Sequence, residues 1–141
     1  SHIGDTKVAI YGKDGSIHFQ THDQNAYLRS ELERLRKDQI RLRRMRTAGT
    51  LAMSRALGDI LIAGVSHQPE HTEIQLTPED KWLVIACDGI VDDLDLKSLG
   101  KTLVFANSAK IAATLLRDQA YSRGSEDNIS AIVVDLEPLF K

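Results

Sequence analysis

Four acidic residues stand where apolar segments begin or end. The run 81–87 (KWLVIAC) leads straight into Asp88 and Asp92, spaced i and i+4 around Gly89. Asp127 lies in Ser125-Glu126-Asp127-Asn128, immediately ahead of the apolar stretch 129–134. Asp5 follows Gly4, ahead of a further strand-like segment at 7–12. Carboxylates at the ends of buried strands are held rigidly, and oxygen donors are what hard divalent cations take. Each acid also has a plainer reading. Asp5 suits a turn, Asp92 suits the N-terminal charge of a helix beginning near Asp95, and Asp127-Asn128 suits a turn cap. Asp59, after Gly58, reads as structural.

The elements that must position these acids follow from pattern. Strands are expected at 7–12 and 17–20, joined by Lys13-Asp14-Gly15-Ser16, in which Asp14-Gly15 is a strong hairpin signal. A helix is expected over about 24–44, with Leu28, Leu32 and Leu35 at i, i+4 and i+7 forming one apolar stripe. Thr47-Ala48-Gly49-Thr50 breaks it, and a short apolar segment, 51–57, is closed by Gly58-Asp59. Residues 60–71 read as a loop, 72–76 as a strand and 77–80 as a turn. The run 81–87 reads as a central strand, apolar enough that both faces should be covered. Helices are expected over about 95–106 and 108–123, the second with Ser108 as N-cap and Gly124 as its stop. The last strand is expected at 128–136. No internal repeat, low-complexity stretch or linker is present.

Composition narrows the function classes. With 141 residues and 42% hydrophobic content, the chain is long enough for one domain with a core. A net charge of −2 supplies no global field toward nucleic acid or an anionic membrane, so neither is an expected partner. The single Cys87 sits in an apolar run, reads as a small buried hydrophobe and permits no internal disulfide, which fits a reducing compartment. No apolar run reaches the ~18 residues of a membrane helix, and no signal-peptide pattern opens the chain. The expected location is therefore intracellular, cytoplasmic or nuclear. The five histidines, at positions 2, 18, 22, 67 and 71, lack zinc-ligand spacing. The basic run Arg34, Arg36, Lys37, Arg41, Arg43, Arg44 and Arg46 reads either as a solvated helix face or as a flap that attracts phosphorylated substrates, with Arg41, Arg43 and Arg44 as candidate substrate-binding residues.

Four stretches taken in order, Gly4 to Lys7, Leu51 to Asp59, Ala86 to Asp92 and Gly124 to Ser130, resemble the metal-dependent (type 2C) protein serine/threonine phosphatases. The corresponding family patterns are G-D-S-R, L-A-[VM]-S-R-A-[FL]-G-D, C-D-G-[LIV]-W-D and S-x-D-N-[IM]-[ST]. The resemblance implies an α+β fold, an antiparallel β-sandwich flanked by helices in α/β/β/α layers. It implies two core Mn²⁺ or Mg²⁺ ions and a third, looser ion. Asp88 and Asp127 would bind one core metal, and Asp5 and Asp92 would join Asp88 around the third. Asn128 would support the strand start. The implied activity is hydrolysis of phosphoserine and phosphothreonine in proteins by a metal-activated water, so the implied partner is a phosphoprotein substrate. Two close metals lower the pKa of a bridging water and clamp phosphoryl oxygens.

The chain departs from the family in extent. The family domain is about twice this length; its first half carries an early Arg, a Glu-Asp pair and a D-G-H-G turn, and no D-G-H-G occurs here. Residues 1–141 are therefore expected to be the C-terminal portion of a single phosphatase 2C-like domain, inactive alone and with no catalytic side chain assigned. The missing N-terminal half, or self-association, should cover its exposed apolar faces. A catalytically dead phosphatase-like module that binds protein partners is the alternative. Val91 stands where the family usually has Trp, and Asp93 adds a charge just after the motif.

Overall fold

The computed structural model describes residues 1–92 and 94–141, so the expectation attached to Asp93 lies outside the described residues. Contacts divide the chain into two compact units. One comprises residues 1–6 and 22–73, the other residues 7–21 and 74–141. No helix of the described residues is long and apolar enough to cross a membrane.

The second unit is a four-stranded antiparallel sheet with helices on one face. Its strands are β1 (Lys7–Gly12), β2 (Ile17–Gln20), β5 (Asp80–Ala86) and β6 (Ala131–Asp135), in the order β2-β1-β5-β6. The β1–β2 hairpin turns at Gly15, whose φ of +80° an L side chain rarely adopts. Its helices are α2 (Asp88–Val91), α3 (Leu96–Leu103) and α4 (Ala109–Ser122), followed by a 3₁₀ turn, Glu137–Phe140. Asp95 and Ser108 cap α3 and α4 by accepting from the amides of Ser98 and Ile111.

The core lies between these helices and one sheet face. Ala9, Tyr11, Trp82, Val84 and Ala86 pack with Ile90, Leu94, Leu99, Leu103 and Leu116, all buried. The Tyr11 hydroxyl donates to the Leu96 carbonyl at 3.0 Å, tying the sheet to the start of α3. Its pKa is raised, first by burial and then by the Asp95 carboxylate.

Strand β5 is central, as its pattern predicts, but its two faces differ. Asp80, Trp82, Val84 and Ala86 are buried, whereas Leu83 and Ile85 are half-buried. On the same open side of β6, Ile132 is 61% exposed and Val134 41%. The expectation of two covered faces is thus not met among the described residues, because the helices of this unit pack on one face only. The antiparallel connection permits that arrangement; an all-parallel sheet would not.

In the first unit the long expected helix is cut short. Helix α1 spans Arg29–Lys37, and Gln39, at φ +55°, ends it while the Ile40 amide returns to the Leu35 carbonyl at 2.9 Å. The following arginines fold instead into a two-stranded ribbon, β3 (Leu42–Arg43) and β4 (Arg46–Thr47). Like charges three and four residues apart destabilise a helix, and Arg34, Lys37, Arg41 and Arg44 would have crowded one another had it continued. The strand expected at 72–76 does not form; its residues are mostly exposed, without a ladder partner among the described residues. The short helix α2 was not expected from the pattern, and Asp92 caps its C-terminus rather than opening the next helix.

Candidate functional site

Two acid-bearing segments meet at one end of the β5–β6 pair. The ladder runs from Trp82 opposite Asp135 to Ala86 opposite Ala131. Beyond the strand ends it continues through Cys87, whose amide donates to the Ser130 carbonyl at 3.1 Å. The Cys87 thiol donates to the Asn128 carbonyl at 2.9 Å and accepts from the Ser130 amide at 3.2 Å. Gly89 comes so close that a Cβ there would lie 2.3 Å from the Asn128 oxygen and 3.2 Å from the Asp127 Cβ. Ser125 closes the contact from the other side, its hydroxyl donating to the Gly89 carbonyl at 2.7 Å.

The segments of Asp88 and Asp127 are therefore in direct backbone contact. Each carboxylate accepts from the following amide, Asp88 from Gly89 at 2.9 Å and Asp127 from Asn128 at 2.6 Å. The Asp92 amide donates to the Asp88 carbonyl at 2.8 Å, which winds α2 and fixes the i, i+4 spacing. Asp92 and Asp127 line one open hollow of about 500 Å³ with Gly89, Ser125 and Glu126. Asp88 is half-buried beside it.

Asp5 belongs to the other unit. It follows Gly4, whose φ is +93° and whose amide donates to Gln24 Oε1 at 2.8 Å. Arg43 and Arg44 lie on the β3–β4 ribbon, and Arg41 just precedes it.

The donor chemistry at the β5–β6 end suits a hard cation. The donor count does not complete a centre: among the described residues no three His, Cys, Asp or Glu side chains converge closely enough to hold a metal ion.

Sequence reasoning missed a buried ionic knot in the first unit. Glu31 on α1 is 1% exposed. It accepts from Arg55 Nη2 at 2.5 Å and Nε at 3.0 Å, from the Ser54 hydroxyl at 2.6 Å and from Arg34 Nη2 at 3.0 Å. Arg34 also donates to the carbonyls of Ser54 and Gly64. Burial raises the Glu31 pKa, but the bonds from Arg55, Ser54 and Arg34 outweigh it and bring the group to about 2. The knot clamps the Ser54-Arg55 stretch, one of the four family motifs, onto α1. The signal was present: Glu31 lies four residues before Leu35 and three after Leu28, on the helix side that the leucines bury.

A third polar cluster clasps the β1–β2 hairpin. His18 Nδ1 donates to Asp80 Oδ1 at 2.5 Å, and its Nε2 lies 3.1 Å from the Ser16 hydroxyl. This line of Ser16, His18 and Asp80 is not a nucleophile relay. The Ser16 hydroxyl donates to Asp14 at 2.5 Å, so its proton already has an acceptor other than the imidazole.

The α+β fold is shared with solved structures. A phosphatase from a pathogenic strain of Toxoplasma gondii shares the fold, with a TM-score of 0.77 and 24% identity, covering 93% of this chain and 45% of that one. A C. elegans sex-determining protein superposes with a TM-score of 0.81 and 25% identity, over 95% of this chain and 35% of that one. The family described as Protein phosphatase 2C matches residues 1–129, and the chain belongs to that family. Among curated relatives, Protein phosphatase 2C homolog 1 of Saccharomyces cerevisiae is 32% identical over 140 residues, 96% of this chain and 48% of that protein. Human Protein phosphatase 1B is 30% identical over 145 residues, 93% of this chain and 30% of its own length. The chain thus spans about half the length, or less, of these curated relatives.

Two outcomes follow from the geometry. Gly89→Ala should push Asn128 away, destabilising the chain by about 1–3 kcal/mol and moving the amide resonances of residues 127–130; denaturant titration and NMR check both. Glu31, depressed from 4.5 to about 2, contributes stability that is fully present above pH 4.5 and lost as pH falls toward 2. Urea titrations across that window should show the loss. Glu31→Gln should flatten the pH slope and lower stability by about 3–5 kcal/mol, the cost of leaving buried partners uncompensated.

Proposed function

We propose that this chain is the C-terminal portion of a single phosphatase 2C-like domain whose complete form hydrolyses phosphoserine and phosphothreonine in proteins. The observation that carries the reading is the locked contact between the Asp88 and Asp127 segments, with Asp92 on the shared hollow. Hydrogen-bonded strand ends and a glycine that tolerates no side chain hold carboxylates in place, as an oxygen-ligand cation site requires. Asp88, Asp127, Asp92 and Asp5 are the residues proposed to face Mn²⁺ or Mg²⁺ in the whole domain. Bound there, the ions would supply Lewis-acid activation of water and charge neutralisation. Because the described acids do not complete a centre, no catalytic step is assigned to this chain alone, and the remaining ligands are proposed to come from the N-terminal half.

The test compares a complete domain ending in this chain with the 141-residue chain itself, on a phosphothreonine peptide with and without Mn²⁺. The complete domain should turn over only with metal. Asp88→Asn and Asp127→Asn should each lower kcat at least about 100-fold, since even outer-shell partners of a metal are worth 10–100-fold. The chain alone should be inert. Metal-dependent binding of partners without hydrolysis by the complete domain would instead favour a catalytically dead module.

The N-terminal half is also the proposed cover for the open sheet face. Without it, Ile132 and Val134 should drive self-association, at about 25 cal/mol per Å² of apolar surface buried. Light scattering of the isolated chain should show concentration-dependent oligomers that Ile132→Lys with Val134→Lys disperses. A stable monomer at high micromolar concentration would contradict this.

A further inference from the structure

Gln24 lies outside any helix or strand of the first unit, yet it is fully buried. A buried amide must find partners for its oxygen, its nitrogen and its backbone groups. The Gln24 side-chain Oε1 accepts from the Gly4 amide at 2.8 Å. Its backbone amide donates to the Gly4 carbonyl at 3.1 Å. Gly4 is thus gripped at both of its backbone polar groups by one residue twenty positions away.

That grip reaches Asp5 through the peptide bond. A peptide unit is planar, so holding its carbonyl fixes the direction in which the next residue leaves. The Gly4 amide belongs to the peptide plane before Gly4, and the Gly4 carbonyl to the plane that ends in Asp5. Gln24 holds both planes, and the bend between them is the Gly4 φ of +93°, which an L side chain rarely adopts. Gly4 is itself buried, so loss of Oε1 would leave its amide without that acceptor.

The clamp is anchored at two further points. The Gln24 carbonyl accepts from the Ser54 amide at 2.7 Å, and the Ser54 hydroxyl donates to Glu31 at 2.6 Å. Helix α1, Glu31, Ser54, Gln24 and Gly4 therefore form one continuous chain of contacts that ends beside Asp5. Gln24 Nε2 also donates to Glu70 Oε2 at 3.4 Å, and Glu70 exchanges two backbone hydrogen bonds with His2, at 3.0 and 2.9 Å. Nothing in the sequence marks Gln24, which is uncharged and lies in none of the four family-like stretches.

We propose that Gln24 is a positioning residue for Asp5: its side-chain oxygen sets the Gly4 peptide so that the Asp5 carboxylate is held ready for a divalent cation. The metal-facing role of Asp5 rests on the phosphatase reading; the clamp rests on hydrogen bonds within this chain. A ligand fixed in advance by its supporting shell binds more tightly than one that must be ordered by the ion.

The experiment takes the complete domain ending in this chain and reads Mn²⁺ binding by calorimetry, with no substrate present. Asp5→Asn should weaken one class of Mn²⁺ site. Gln24→Leu should weaken that same class about tenfold or more, the scale for outer-shell partners of a metal, and leave the class that Asp127→Asn abolishes unchanged. Gln24→Asn, one methylene too short to reach Gly4, should act in the same direction and carries the test should the leucine variant not fold. Gln24→Glu combined with Glu70→Gln keeps the acceptor and the net charge, and should restore affinity. In the metal-free 141-residue chain, the Gly4 amide resonance should move in Gln24→Leu and return in the combined variant. Weakening by Asp5→Asn without weakening by either Gln24→Leu or Gln24→Asn would overturn the proposal and leave the phosphatase reading standing. Equal weakening of every Mn²⁺ class, with no rescue by the combined variant, would show a general structural role and also overturn it. Mn²⁺ binding untouched by Asp5→Asn would overturn the metal-facing role of Asp5 and the proposal together.

Discussion

The register between β5 and β6 governs the acidic end of the molecule. Antiparallel pairing places Ala86 opposite Ala131, and one further pair, Cys87 with Ser130, carries the ladder past the last strand residues. A one-residue slip would turn Trp82, Val84 and Ala86 out of the core and Leu83 and Ile85 into it. The apolar face against α3 and α4 therefore pins the register, and the register in turn pins the spacing of Asp88 from Asp127. Core packing and acid placement are one constraint seen at two places.

The last ångström at that end is set by small groups. Gly89 is glycine because the Asn128 carbonyl occupies the space of a side chain. Cys87 uses its sulfur as both donor and acceptor, toward the Asn128 carbonyl and the Ser130 amide. Ser125 fixes the loop from the opposite side. None of these groups is acidic, yet together they determine where two acids stand. The positioning residues of a site are often chemically plain for this reason: their work is shape and hydrogen bonding.

The first unit handles charge in two opposite ways. Around Glu31, a buried carboxylate is paired with Arg34 and Arg55 and accepts from Ser54, so the charges lock Ser54 and Arg55 against α1. On the β3–β4 ribbon Arg43, Arg44 and Arg46 are exposed and form no ion pair among the described residues, and the left-handed dihedrals fall at Arg44 and Met45. Buried pairing gives rigidity because low dielectric strengthens attraction and leaves no water to substitute for a partner. Exposed like charges give a surface that favours an external anion.

Order along the chain was readable wherever the cause is local. Asp14-Gly15 marks the hairpin, Ser108 and Gly124 bracket α4, and the apolar run 81–87 marks the central strand, because turn dihedrals, caps and side-chain alternation act within a few residues. The four motifs in sequence were likewise enough to identify the family. What could not be read locally was set by neighbours distant in sequence. Helix α1 stops at Lys37 because the next residues find ladder and loop partners in residues 46–51. Residues 72–76 stay irregular, without a ladder partner among the described residues, whatever their own β-propensity. The open side of β5 and β6 is decided by which elements pack on the sheet, and that depends on three-dimensional contacts no single segment encodes. Glu31 shows the same limit at one residue: its sequence neighbours are leucines and arginines on a helix, while Ser54 and Arg55, more than twenty positions away, supply the bonds that make a buried carboxylate stable.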